Sequence, residues 1–398
     1  MPSLQQPDHL ENSAVSHFSV LVITPSRPSK NELEEVLLPW HEYECTGIER
    51  YLVDVDRTDE IAEEFNRRQK VVILADGSVH SRWDERFYTK PKQDDGSLAR
   101  KEFELPEGAR EDEIDAAEAR KHGVGYADME ACAEDYCGAT KGDDGRFYKK
   151  TNPNAKWDWW TIGGRYNGKF AVDYSVEGDP RNYEQCFLCE GTGKRNDELG
   201  AKARLQNPAY TCNGCDGSGK RLKFPSSWVK VGNEIEASNL LAILPALKRS
   251  NENDAAGEWD QAEARFKAAG GYNGHSFAEA LALWNETVER ARAMRGDHAL
   301  WQVINEQPNG EALRTAGNAA EWHGIPSDAG DRERYAAAAP ALTAFAVVKD
   351  GQWFEQGEMG WFGIVTGKQP ADTWQQWLDA TIAGLEPGQW LTVVDCHI

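Results

Sequence analysis

HFSVLVIT at residues 17–24 and LTVVDCHI at residues 391–398 lie near the two ends of the sequence. Each is a short, nearly unbroken apolar run rich in β-branched residues, the pattern of a buried strand. Pro25 and Pro28 stop the first, because proline fixes φ and offers no N–H to a ladder. Strand-like segments at both ends of a chain tend to pair in one sheet. The expected fold is therefore α+β: a mixed or antiparallel sheet that includes both chain ends, with helices packed on it.

Working inward, VILADGSVH (72–80) and AVVKDGQWF (346–354) share a hairpin grammar, two apolar strands around Asp-Gly, whose residues tolerate positive φ. The likeness raises the possibility of an internal duplication, although Asp-Gly hairpins are common. The return strand of the first hairpin is expected over 79–88. Helices are expected over 31–38, 59–69, 110–121, 126–136, 238–247, 251–273 and 372–385. Another starts at the capping box Ser276/Glu279, with Phe277, Leu281, Trp284 and Val288 repeating at helical spacing.

Near the middle stand two copies of C-x-x-C-x-G-x-G: Cys186, Cys189, Gly191, Gly193 and Cys212, Cys215, Gly217, Gly219. Four thiols at this spacing suit one tetrahedral zinc, and the glycines allow the positive φ that such a knuckle needs. Two disulfides would require an oxidising compartment, and residues 1–16 read as no export signal. A redox dithiol is the other alternative. A site closed by four thiolates holds structure and leaves no position for water, so the expected cofactor is one structural zinc. The segment between the pairs is polar, so metal would supply much of the module's folding free energy.

This doubled motif resembles half of the cysteine-rich zinc module of DnaJ-type chaperones. That family strings four repeats on an extended β-hairpin and binds two zincs. The resemblance covers residues 186–219 and implies a ligand role for Cys186, Cys189, Cys212 and Cys215 in an inserted hairpin. No H-P-D tripeptide and no Gly/Phe-rich linker accompany it, so chaperone activity does not carry over. The implied organisation is a body over 1–180, a zinc module over 181–225, and the rest of the body over 226–398.

The 398 residues carry a formal net charge of −22, which favours solubility and opposes nonspecific binding to nucleic acid or anionic lipid. No apolar run is long enough to span a membrane. The expected location is cytoplasmic, and the expected partner is a macromolecule, a protein rather than a nucleic acid. Segment 181–225 departs from the acidic average, with eight Lys or Arg against five acids. It is either a solvated loop or a local nucleic-acid contact. Acidity also admits a DNA mimic as a minor reading.

Fifteen tryptophans fall in clusters. In WDWWTIGGRYNGK (157–169), a strand would send Trp157 and Trp159 one way and Asp158 and Trp160 the other, with Gly163 and Gly164 delivering Arg165 beside the aromatic wall. Such an arginine clamps a phosphate or carboxylate, or stacks on a base. In the plainer reading the segment is a core hairpin and Arg165 pairs with Asp158. The G-x-x-x-x-G-K from Gly163 to Lys169 is followed by Phe170 and lacks the magnesium-binding hydroxyl, so it is not a P-loop.

The N-terminal H-F-S-V-L-V, this W-D-W-W-x-I-G-G-R, G-x-M-G-W-F-G at 357–363 and the terminal V-V-D-C-H-I together resemble uncharacterised proteins encoded by bacteriophages and actinobacterial prophages. The resemblance brings no known activity and implies work inside an infected bacterial cell. The first expectation is a zinc-stabilised binding or regulatory module acting on a host or phage macromolecule. Its contact surface is expected at Trp157, Trp159, Trp160, Arg165 and Trp361. The alternative is a hydrolase or nucleotide-modifying enzyme built from His80, Asp84, Asp158, Arg165 and His397.

Overall fold

The computed structural model describes residues 17–42, 49–89, 102–294, 299–307, 310–359 and 365–398. Trp361 and most of 357–363, expected at a contact surface, lie outside the described residues. The chain divides into two compact units: 1–38 with 156–398, and 39–155.

In the first unit the terminal runs do pair. Strand His17–Thr24 lies antiparallel to Trp390–His397 along its whole length, from His17 opposite His397 to Thr24 opposite Trp390. The first strand also pairs in parallel with Ala346–Lys349, which turns back through Asp350 and Gly351, both at positive φ, into Gln352–Glu355. On its other side the last strand accepts Trp159–Ile162 and Glu234–Glu236, completing a six-stranded mixed sheet. The fold is α+β, with both ends at the centre of the sheet.

Alternation assigns the two faces. Leu21, Ile23, Val347, Leu391 and Val393 share one face and pack against Leu240 and Leu247 of helix Ala237–Ala268 and Trp374, Leu378 and Ile382 of helix Ala371–Ala383. A second core, around Trp259, Phe266, Phe277, Leu281 and Leu313, joins the far half of the long helix to helices Phe277–Met294 and Gly310–Trp322. The expected capping box is present: Ser276 N–H donates to Glu279 Oε2 at 2.8 Å, and Glu279 N–H to Ser276 Oγ at 3.3 Å.

Two helical expectations are corrected. Segments 238–247 and 251–273 are not separate helices; helix Ala237–Ala268 runs through Pro245 and the polar stretch between them. The polar residues there are tertiary anchors: Asn251 donates to the carbonyls of Pro340 and Ala341, and Ser250 to Asp173. Segment 110–121 is helical only from Ala116; Arg110–Ile114 is a strand on Gln69–Ile73. Pairing with an apolar neighbour overrode the helix propensity of its charged residues.

The second unit carries the other Asp-Gly hairpin, Gln69–Ile73 with Val79–Ser81, in a three-stranded sheet. The return strand ends at Ser81, short of the 88 expected, and a 3-10 turn, Glu85–Phe87, follows. Another three-stranded sheet, Val53–Asp56, Phe147–Thr151 and Thr140–Lys141, packs Phe147 with Ile61 and Cys132. Among the described residues no helix is long and apolar enough to cross a membrane.

Candidate metal centre and a pair of histidine–aspartate contacts

The two cysteine repeats fold into matching halves. In each, the residue after the second cysteine is held at positive φ, Glu190 at 50° and Asp216 at 47°, and glycines follow at 82° and near 75°. The halves exchange hydrogen bonds: Cys186 N–H donates to Gly219 O at 3.0 Å, and Cys212 N–H to Gly193 O at 2.9 Å. A Cβ on Gly193 would sit 2.2 Å from Gly217 O, and one on Gly219 would sit 2.3 Å from Gly191 O, so only glycine admits this approach. Strands Tyr183–Gln185 and Lys220–Leu222 pair beneath the knuckle.

This geometry brings all four Sγ atoms within 4.8 Å of one another, with Cys186 to Cys212 at 3.8 Å and Cys189 to Cys215 at 3.6 Å. Sulfurs so far apart are not disulfide-bonded. Tetrahedral zinc–thiolate bonds of about 2.3 Å would place sulfurs roughly 3.8 Å apart, so the donor set fits a metal ion such as zinc. It is the one cluster of three or more potential ligands among the described residues. Burial pushes the Cys212 thiol up to about 12, so metal would have to displace a proton there.

The segment between the pairs contains helix Glu198–Gln206, which the sequence reading missed although Asp197 caps it by accepting from Gly200 N–H at 2.9 Å. Exposed Phe187 and Phe224 flank Arg221, whose guanidinium lies 4.5 and 5.5 Å from their ring centres.

A second grouping forms where the sheet begins and ends. Register places His17, His397 and Trp159 side by side on three adjacent strands. His17 Nδ1 lies 2.9 Å from Asp395 Oδ1, and His397 Nδ1 lies 2.9 Å from Asp158 Oδ1. The imidazole centres are 4.8 Å apart, and the Trp159 indole stacks on His397 at 5.2 Å. With both Nδ1 atoms on carboxylates, Nε2 is the nitrogen each ring keeps for proton transfer. Asp395, 1% exposed, also accepts from Arg165 N–H at 2.9 Å. That bond needs Gly164, where a Cβ would collide with the carboxylate.

Of the residues expected at a catalytic site, Asp158 and His397 meet, and Arg165 reaches the group through its backbone. Its side chain does not pair with Asp158 as the plainer reading held; the histidine holds that carboxylate. His17 and Asp395 complete the group and were missed as a pair, because 378 residues separate them. The signal was their position at matched ends of the two terminal strands. His80 and Asp84 belong to the second unit, where His80 contacts Ser78 Oγ at 3.1 Å and Asp84 caps the 3-10 turn at Arg86 N–H.

The tryptophans separate too. The strand starts at Trp159 and not at Trp157, so Trp157 is 4% exposed and Trp159 44% instead of sharing one face. Trp160 lies half-buried opposite Cys396. Burial holds the Cys396 thiol well above its usual range. Comparison with known proteins returns no match: no family model, no curated protein and no solved structure is similar to this chain.

Proposed function

We propose that the protein is a binding module, stapled by one structural zinc, that docks a macromolecule through the cysteine-held hairpin. The observation that carries this reading is the pair Phe187 and Phe224, 63% and 68% exposed, on either side of Arg221 next to the knuckle. Exposed aromatic rings around an arginine are the composition of an interface anchor, and rigid metal-held backbone lowers the entropy lost on docking. The partner is a protein, since Arg181, Arg195 and Arg221 are engaged by Asp179, Asp197 and Glu184 and offer little free charge to a phosphate backbone. The resemblance to phage-encoded proteins implies a partner met inside an infected bacterium. Crosslinking mass spectrometry in a host extract tests the reading. Phe187→Ser with Phe224→Ser should abolish partner crosslinks near 187–224 and leave zinc content unchanged; crosslinks that persist in the double variant would refute it.

A hydrolytic or nucleotide-modifying enzyme is the second reading, favoured by the Asp158–His397 contact beside His17–Asp395. Two imidazoles with Nδ1 on carboxylates are the equipment of a general acid and a general base. On this reading His397→Asn abolishes turnover of phosphodiester or ester substrates with little change in Tm. Unchanged turnover in that variant would remove the reading.

A further inference from the structure

The turn that follows Trp159–Ile162 carries Arg165 to the wall of a cavity of ≈ 270 Å³ in the first unit. Asn167, Lys169, Tyr174, Ser250 and Asp254 line the polar part of that cavity, and Leu247 and Leu342 the apolar part. We propose that this cavity binds a small organic molecule through one oxyanion group, a carboxylate or a phosphate ester, held by the Arg165 guanidinium.

Arg165 is set apart from the other arginines of its kind. Three described arginines have a buried Nε without a hydrogen-bond partner: Arg57, Arg165 and Arg221. The first and last are ion-paired through an Nη atom to Glu60 and Glu184. The Arg165 side chain has no ion pair or hydrogen bond among the described residues, while its backbone N–H donates to Asp395 Oδ2 at 2.9 Å. A buried donor left unmade is costly, and a guanidinium is built to meet a carboxylate or phosphate with two parallel N–H bonds.

The wall around it is already organised. Asn167 donates to Val229 O at 2.9 Å and accepts from Val231 N–H at 3.1 Å and Asn233 Nδ2 at 2.6 Å. Asn233 Oδ1 accepts in turn from Gly168 N–H at 3.0 Å. These bonds tie the chain just after the arginine to residues 229–233, so little ordering remains there for a ligand to impose.

The lining also sets the class of ligand. The volume falls below the range of drug-sized pockets, so the occupant is a small metabolite and not a polymer. Asp254 on the same wall opposes a bare polyanion and favours a ligand whose other end donates, through a hydroxyl or ammonium group. This inference is separate from the docking face at Phe187 and Phe224.

Titration calorimetry of the intact, metal-loaded protein with inorganic phosphate and with acetate tests it. One equivalent of one anion should bind, and which of the two binds distinguishes a phosphate ester from a carboxylate. Arg165→Gln should weaken binding about ten-fold or more, Arg165→Lys less, because lysine keeps the charge and loses the fork. Asp254→Asn should tighten binding. No heat from either anion, or an Arg165→Gln variant that binds as well as the wild type, overturns the proposal. Should that variant fail to fold, phenylglyoxal labelling of the wild type decides. Saturating anion must protect Arg165 in the peptide map, and absence of protection is equally fatal.

Discussion

Asp395 accepts from the His17 imidazole on one oxygen and from the Arg165 N–H on the other, and it is almost wholly buried. A buried carboxylate stays in place only where hydrogen bonds replace its water, so this residue ties the histidine group to the turn that carries Arg165. Asp395→Ala should lower unfolding free energy by about 2–4 kcal/mol, read from urea denaturation. A loss below 0.5 kcal/mol, the scale of ordinary surface substitutions, would deny the residue that role. Another carboxylate sets an acid limit. Hydrogen bonds from Arg181, its side chain first and its backbone N–H second, hold Asp179 down from 3.8 to about 2. A carboxyl whose folded pKa is depressed stabilises fully above its unfolded pKa and loses that contribution as pH falls through the folded value. The wild type should therefore lose Tm between about pH 4 and pH 2 more steeply than Asp179→Asn, in a thermal melt series. Coincident acid limbs would contradict this.

At the scale of elements, the cysteine knuckle is built by repetition. The second copy repeats the first in thiols, glycines and positive-φ acids, and each half supplies the carbonyl that the other half's cysteine N–H requires. Because Cys212 is held protonated without metal, affinity for zinc should rise with pH across the neutral range, as a chelator competition would report. Complete chelation should melt the Tyr183–Gln185 and Lys220–Leu222 pair and helix Glu198–Gln206 while the six-stranded sheet keeps its amide protection. Cooperative loss of sheet protection on chelation would show that the metal holds more than its own module. The long helix illustrates the opposite case, in which tertiary contacts carry a polar stretch and an internal proline that intrinsic propensity would break.

In the whole first unit, one strand joins the two halves of the main sheet. His17–Thr24 lies between Ala346–Lys349 and Trp390–His397, and both of its neighbours come from the last fifty-odd residues of the chain. Deleting residues 17–24 should leave two unpaired strand edges and expose Leu21 and Ile23's partners in the core, so the unit should not fold. A dispersed amide NMR spectrum from that truncation would show the sheet to be self-sufficient without its central strand. Such long-range closure also predicts slow folding, since chain-spanning pairings form only after large loops close.

Sequence alone determined the features that rest on local chemistry. The four thiols and their glycines, the Asp-Gly turns, the Ser276 capping box and the two buried terminal strands are each set by residues within a few positions of one another. The α+β class followed from the last of these, because two such strands have few other ways to satisfy their backbones. Tertiary structure decided whatever depends on register between distant segments. One residue of slip between the terminal strands would send His17 and Asp395 to opposite faces, so their contact is a property of the paired sheet and not of either strand. The same holds for Asp158 choosing His397 over Arg165, and for the cavity that Arg165 helps to line. No local pattern encodes these, because the partners lie far apart in the sequence and meet only when the unit folds.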